Sequence, residues 1–485
     1  MKPRNDMDNT PKPEEAIRLL EAKLGNVRGR LTASDAAAMT GLPLGTAHDA
    51  LQVLMNRFIC RLQVTESGEV LFDFGSSLRR RGEKTLGDYL HEAGVFLWKA
   101  FTIGFKIWIT VMLVVYFVIF VLLLLALMFG GRDNKKGIKL GWLGDLFADL
   151  FWISSRNMAI VHAMDSGGYR HKAYRQKKRR GGEVENKKRL VQSVYDFVFG
   201  PARPDYDMFA NEKEVAAWLR GNSGLLTMTE LVALAGWTYD EASERMADYL
   251  TRFKGDAEIT DDGVLIGDFQ RMLAAGDARF EEGKVELFWD EYEAPYEMTG
   301  NDSGRNAAII GVNAFNLGFA ALILFSPDLR IQLESLLYEF GIGTGVVYTA
   351  LGVIPLLFSL LFFAVPVARF IPVRRRESAR KKRNERRRVL RHVFARQGRA
   401  VSLEALLEDV NRDDSRKMTA KELHRILEEL LPLYGGRTDL DDGGTVLYRF
   451  DRIERENAVA VEVRQKRGGN AILGDVIFDT RGASD

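Results

Sequence analysis

From Ile107 to Phe129 every residue is apolar except Thr110 and Tyr116, and no other stretch so narrows what this chain can become. A helix of about 20 such residues crosses the hydrocarbon core of a bilayer. Lipid offers no partner to backbone amides, so a run of this kind must be helical or part of a closed barrel. Ala307 to Phe325 is a second candidate span and Gly345 to Ile371 a third, the last with Pro355 and Pro366, which predict a kink or tilt. The polar N-terminus carries no secretory signal pattern.

Basic residues set the expected orientation. Arg374 to Arg388 holds ten Lys or Arg in fifteen residues just after the third span, which marks the cytoplasmic side of an inner membrane. Only Pro327 to Thr344 joins the second and third spans, and Leu329, Leu333, Leu336, Leu337 and Phe340 suggest an amphipathic helix at the far surface. A hairpin of spans puts everything before and after it on one side, and the basic run Arg170 to Arg189 agrees. Arg79, Arg80, Arg81, Lys84, Lys99 and Lys106 favour the cytoplasm for the N-terminal region too, although a single crossing by Ile107 to Phe129 would place it outside. A re-entrant excursion, or a partial return through Ile138 to Ile153, reconciles the two, and the N-terminal region is expected in the cytoplasm.

The polar parts of the chain repeat. TESGEVLFDF (Thr65 to Phe74), TDDGVLIGDF (Thr260 to Phe269) and LDDGGTVLYRF (Leu440 to Phe450) each pair an acidic turn with an apolar strand closing on Phe. Upstream, Leu31 to Leu42 and Thr227 to Trp237 each give a Thr cap, a short helix and a Gly turn, followed by Ala47, Leu51, Leu54 and by Ala242, Met246, Leu250 at helical spacing. Val401 to Leu407, then Leu423, Ile426, Leu427 and Leu430, form a looser third copy. Helix, turn, helix and hairpin resembles the winged-helix fold, which implies three such modules at residues 13–75, 212–269 and 389–450. The fold class is therefore mixed α/β (α+β): three winged-helix-like modules plus transmembrane helices. Between them lie an apolar membrane segment with an interfacial helix (86–155), a basic linker (156–211), an acidic aromatic linker (270–304), the helical hairpin (305–373), the basic run (374–388) and a tail (451–485). The tail has one strand-like run, Ala458 to Val463, and otherwise reads as loosely ordered.

Ser193 to Pro201 (SVYDFVFGP), Leu250 to Gly255 (LTRFKG) and the Asn-rich start of the second span (Asn306, Asn313, Asn316) are similar to an uncharacterised family of bacterial, cyanobacterial and chloroplast membrane proteins. The resemblance covers roughly Val191 to Asn316 and the first module more loosely. Some plant relatives carry an iron–sulfur assembly label. A single cysteine, Cys60, cannot hold a cluster, and the six histidines (His48, His91, His162, His171, His392, His424) lack ligand spacing. Cys60 reads as a small buried hydrophobe.

Charge decides against DNA as the main partner. A winged helix reads duplex DNA with basic residues on its second helix. In the second module that helix sets Asp240, Glu241, Glu244 and Asp248 against Arg245, and residues 212–269 hold five basic and twelve acidic residues. The first module has six basic and eight acidic residues and the third ten and eleven; only the third helix candidate, with Lys421, His424 and Arg425, leaves DNA open. Nucleophile elbow, phosphate loop and HExxH motifs are missing, and Gly341, Gly343 and Gly345 follow no strand.

The chain thus reads as a non-enzymatic integral scaffold presenting protein-interaction modules at the cytoplasmic face, in a homo-oligomer, without cofactor, catalytic residues or metal. Its partners would be membrane lipids and an unidentified protein. A membrane-tethered DNA-binding regulator and a subunit of an oligomeric channel or transporter are the alternatives. Arg374, Arg375, Arg376, Arg380, Lys381, Lys382, Arg383, Arg386, Arg387 and Arg388 are expected on anionic headgroups, since only Glu377 and Glu385 interrupt the run. Asn313 and Asn316 are expected in polar packing between membrane helices.

Overall fold

The computed structural model describes residues 11–75, 78–81, 86–129, 189–203, 207–280, 282–338, 341–342, 344–412, 417–467 and 473–480. Ile138 to Ile153 and all but the last residue of the basic run Arg170 to Arg189 lie outside them.

The repeat read from sequence is present in three dimensions. In the first module α1 (Pro13–Leu24), α2 (Ala33–Thr40) and α3 (Leu44–Arg57) precede the hairpin β1 (Arg61–Thr65) and β2 (Val70–Asp73). The second has α6 (Ala210–Gly221), β3 (Leu225–Thr227), α7 (Met228–Ala235), α8 (Tyr239–Phe253), β4 (Asp256–Ile259) and β5 (Leu265–Asp268). The third has β6 (Val401–Ser402), α12 (Leu403–Arg412), α13 (Ala420–Leu433), β7 (Arg437–Leu440) and β8 (Val446–Arg449). Thr32 with Asp35 and Thr227 with Glu230 form capping boxes that start α2 and α7, and Gly41 and Gly236 end them in the left-handed region. The hairpins turn at Gly68, Gly263 and Gly444, with φ of 79°, 70° and 78°, a conformation that a Cβ disfavours. Phe74, Phe269 and Phe450, the last residues of the repeated pattern, are all buried.

The three modules share one apolar core that includes Leu20, Leu51, Leu231, Tyr249, Leu427 and Phe450. Between the first two modules the contact is also polar. Thr32 Oγ1 donates to the Ala274 carbonyl at 2.7 Å, Ser34 Oγ to Met272 at 2.8 Å and Arg252 Nη1 to Gly41 at 3.0 Å. Arg220 pairs with the buried Asp35. The first module therefore lies on the same side of the apolar helices as the second.

The tail differs from expectation. Residues expected as a strand lie inside helix α14 (Asp451–Arg467), whose buried Ile453, Glu456, Val459 and Ala460 follow a helical rather than an alternating period. α14 packs on the second module, where Glu456 accepts from Thr229 N and Oγ1 at 2.7 and 2.8 Å and Arg464 pairs with Glu230 at 2.6 Å. Beyond it, β9 (Val476–Asp479) joins the sheet of the first module, in the order β2-β1-β9. The apolar stripe is narrow and interrupted by charge, which hides the helical period, and the surface it covers comes from the second module and from Gly398 and Gly435 of the third.

Among the described residues three helices are long and apolar enough to cross a membrane: Ala93–Met128, Ser303–Phe325 and Val347–Ala395. The first lies within α4 (Leu86–Phe129), and the second is α9. The third begins as a π-helical stretch (Val347–Val353) and continues as α11 (Ile354–Ala395). Pro355 sits just after the π stretch, whose wider turns relieve the ring's clash with the preceding carbonyls. α5 (Leu190–Phe199) packs at the module end of this bundle through Phe197 on Phe362, with centroids 5.5 Å apart. At the other end α10 (Pro327–Tyr338) buries Leu333 among Leu123, Ile323 and Val347.

Candidate functional site

α11 is one uninterrupted helix from the bundle of membrane-length helices into the third module, and its basic run winds around it. Arg380, Asn384, Arg387 and Arg388 come round to one face and are buried, whereas Arg374, Arg375, Arg376, Lys381 and Lys382 are exposed. What covers the buried face is the acidic aromatic stretch before the second span. The Phe288 amide donates to the Ala233 carbonyl at 2.8 Å, which fixes the stretch to the second module, and Trp289 meets Phe394 of α11 with centroids 4.8 Å apart.

Ionic pairs close the contact. Glu293, with 1 % of its side chain exposed, faces Arg383 at 2.6 Å and Arg387 at 3.9 Å. Glu291 pairs with Arg387 at 3.3 Å, and the Arg387 guanidinium lies 4.3 Å from the centre of the Phe288 ring. Arg380 pairs with Glu377 at 2.6 Å and donates to the Glu293 carbonyl at 3.2 Å, while Glu377 accepts from the Tyr296 amide at 2.9 Å. Burial alone would raise the carboxyl pKa values of Glu293 and Glu377. The hydrogen bond and charge of Arg383, for Glu293, and of Arg380, for Glu377, outweigh it, and both carboxyls are held below their ordinary value. Both are therefore ionised at neutral pH, and the node is an ionic weld between the linker and α11.

This arrangement engages half of the basic run within the chain. Arg380, Arg383 and Arg387 are turned to Glu377, Glu291 and Glu293. Arg388 donates to the Val410 carbonyl at 3.2 and 2.8 Å, and Arg386 pairs with Glu429 at 2.6 Å. Apart from Glu377, the counter-charges, Glu291, Glu293 and Glu429, come from residues remote in sequence, which is why counting acids inside the run understated them. The complementary sequences DEYE and RKKRNERRR were the available signal.

In the bundle of membrane-length helices, Asn313 and Asn316 are fully buried. Asn313 Nδ2 donates to the Ser359 carbonyl at 3.1 Å and Asn316 Nδ2 to the Leu113 carbonyl at 2.9 Å, so α9 is tied to α11 by one residue and to α4 by the other. At the module end, Gly200 has φ 85° and the Arg369 guanidinium occupies the space a Cβ would need. Arg369 Nη1 donates to the carbonyls of Val198, at 2.9 Å, and Met298, at 3.3 Å. The positive charge thus caps the C-terminus of α5, where the helix dipole is negative. The sequence FVFGP resolves into this cap and the turn that follows.

A cleft of about 770 Å³ lies where the second module, the acidic linker, the end of α11 and α14 meet; Trp218, Trp289, Phe394, Arg391, Arg399 and Arg464 line it. Cys60 is half-buried beside β1, and burial pushes its thiol up to about 12, so it stays protonated and poorly nucleophilic.

The chain is 23% identical over 383 residues to an uncharacterised chloroplastic protein of Arabidopsis thaliana, an alignment covering 74% of this chain and 68% of the relative. No known family model matches the chain, and no solved structure matches it. The likeness fits the uncharacterised plant and chloroplast-type family suggested by the SVYDFVFGP region.

Proposed function

We propose that the chain is a non-enzymatic membrane scaffold that holds a rigid body of three winged-helix-like modules at the cytoplasmic face of the inner membrane for contact with protein partners, in a homo-oligomer. The observation that carries this reading is the weld at Arg380, Arg383 and Arg387. It fixes the module body to a helix continuous with a membrane-length apolar segment, so the body's orientation to the bilayer is held mechanically. Arg374, Arg375, Arg376, Lys381 and Lys382, exposed just beyond that segment, support the cytoplasmic side and contact with anionic headgroups. The exposed face of α8 presents Asp240, Ser243 and Glu244, a surface suited to a basic protein and repelled by phosphate.

The test uses the full chain in mild detergent. A low-salt gel shift with duplex DNA is expected to show no complex, and cross-linking in native membranes is expected to trap a protein partner through α8. Retention of DNA at micromolar concentration, abolished by Lys421→Ala with Arg425→Ala on the exposed face of α13, would instead establish a tethered DNA-binding regulator. Ion flux through reconstituted liposomes would point to a channel subunit.

A further inference from the structure

The three modules present the same hairpin edge, and among the described residues only one of these edges is occupied. β4 and β7 form the outer strands of their sheets, whereas β1, in the matching position, carries β9 as a further antiparallel strand among the described residues. β9 is held by main chain and by one acidic clamp. Gln63 lies opposite Asp479 and Val64 opposite Phe478. Glu66 N donates to the Asp475 carbonyl at 2.9 Å, and Thr480 Oγ1 accepts from Leu62 N at 3.2 Å. Arg61 Nε and Gln63 Nε2 donate to the Asp479 carboxylate at 2.7 and 2.8 Å, and Arg30 braces Gln63 at 3.1 Å. The side chains contribute little: Val476, Ile477 and Phe478 remain 39, 65 and 53 % exposed. The core of the first module, with Leu20, Leu31, Leu51 and Phe72, closes without them.

We propose that the β1 edge is a peptide-docking site and that the chain's own tail is its resident, displaceable occupant. The partner it fits is an extended segment of another protein with two or three apolar residues followed by an aspartate, added as a strand to the open edge. Backbone pairing would supply the affinity, and Arg61 with Gln63 would select the carboxylate. A tethered occupant acts at an effective concentration near the millimolar range, so the tail screens the site until a competitor arrives. The inference stands apart from the membrane placement and from the scaffold reading.

The probe is a fluorescein-labelled peptide matching Asp475–Thr480, followed by fluorescence polarisation with the full chain and with a chain ending at Arg467, both in mild detergent. The shortened chain is expected to bind it, and the full chain to bind at least about ten-fold more weakly. Arg61→Ala in the shortened chain, or an asparagine in the peptide at the place of Asp479, should each weaken binding by about ten-fold. If the shortened chain keeps its melting temperature and elution volume yet binds no better than the full chain, the proposal falls. A second variant guards against misfolding of the shortened chain: Val64→Cys with Phe478→Cys, in a Cys60→Ser background. Residues directly opposite on antiparallel strands are within disulfide range. Oxidation should form an intramolecular bond and exclude the peptide, and reduction should readmit it. Peptide binding undiminished by the lock, or an exclusively intermolecular disulfide, would overturn the assignment.

Discussion

Replacing Arg387 with alanine tests the weld most directly. The side chain is 2 % exposed, faces two carboxylates and lies over an aromatic ring, so its removal leaves Glu291 and Glu293 with less counter-charge in a desolvated place. Breaking one side of a buried pair costs about 3–5 kcal/mol, chiefly because the remaining charge is stranded. Arg383 still faces Glu293 at 2.6 Å, which puts the expected loss at the lower end, about 3 kcal/mol. At roughly 2–4 °C per kcal/mol for a body of this size, the melting temperature should fall by roughly 6–12 °C. The assay is thermal unfolding of the full chain in mild detergent, beside Lys381→Ala, a neutral replacement on the exposed face of the same run that should change stability by less than about 0.5 kcal/mol. Hydrogen exchange should show residues 282–302 losing protection in Arg387→Ala before the modules do. A cycle combining Glu293→Gln with Arg387→Ala should show a coupling of about 0.5–3 kcal/mol. Equal melting temperatures for Arg387→Ala and Lys381→Ala would refute the reasoning, because the run would then behave as a solvated charge cluster.

Acid should loosen the same contact: the folded pKa values of Glu293 and Glu377 lie below their unfolded values, so their contribution is complete above the ordinary glutamate pKa of about 4.3 and fades as pH falls through the folded values. Protease cleavage within 282–302 should accordingly rise below about pH 4, and Glu293→Gln should flatten that dependence. Asn316→Ala should cost about 1 kcal/mol and lower the resistance of the bundle to denaturation in bicelles, with Asn313→Ala behaving alike; no change in either would remove their role as ties between helices. Gly200→Ala should destabilise by roughly 1–3 kcal/mol, because φ 85° with ψ 163° is open almost only to glycine, and displace Arg369 from its cap, read as faster exchange of the α5 amides.

Much of this protein was legible in local sequence. Apolar runs of sufficient length announce membrane-length helices because their backbone needs are met internally, and the threefold pattern ending at Phe74, Phe269 and Phe450 marks modules because hairpins and capped helices are built from neighbouring residues. Asn313 and Asn316 stood out as polar residues in an apolar run. What the sequence could not decide was pairing over distance. Nothing local joins Glu293 to Arg383 and Arg387, Glu456 to Thr229, or Asp479 to Arg61. Those contacts turned three cations of a supposed headgroup-binding run, Arg380, Arg383 and Arg387, into the inside of a weld, and a tail expected to be loose into a helix and a strand. Composition fixes how much charge a chain carries, and the period of a helix fixes which charges share a face. Only the packing of remote elements determines whether that face meets water, lipid or a carboxylate.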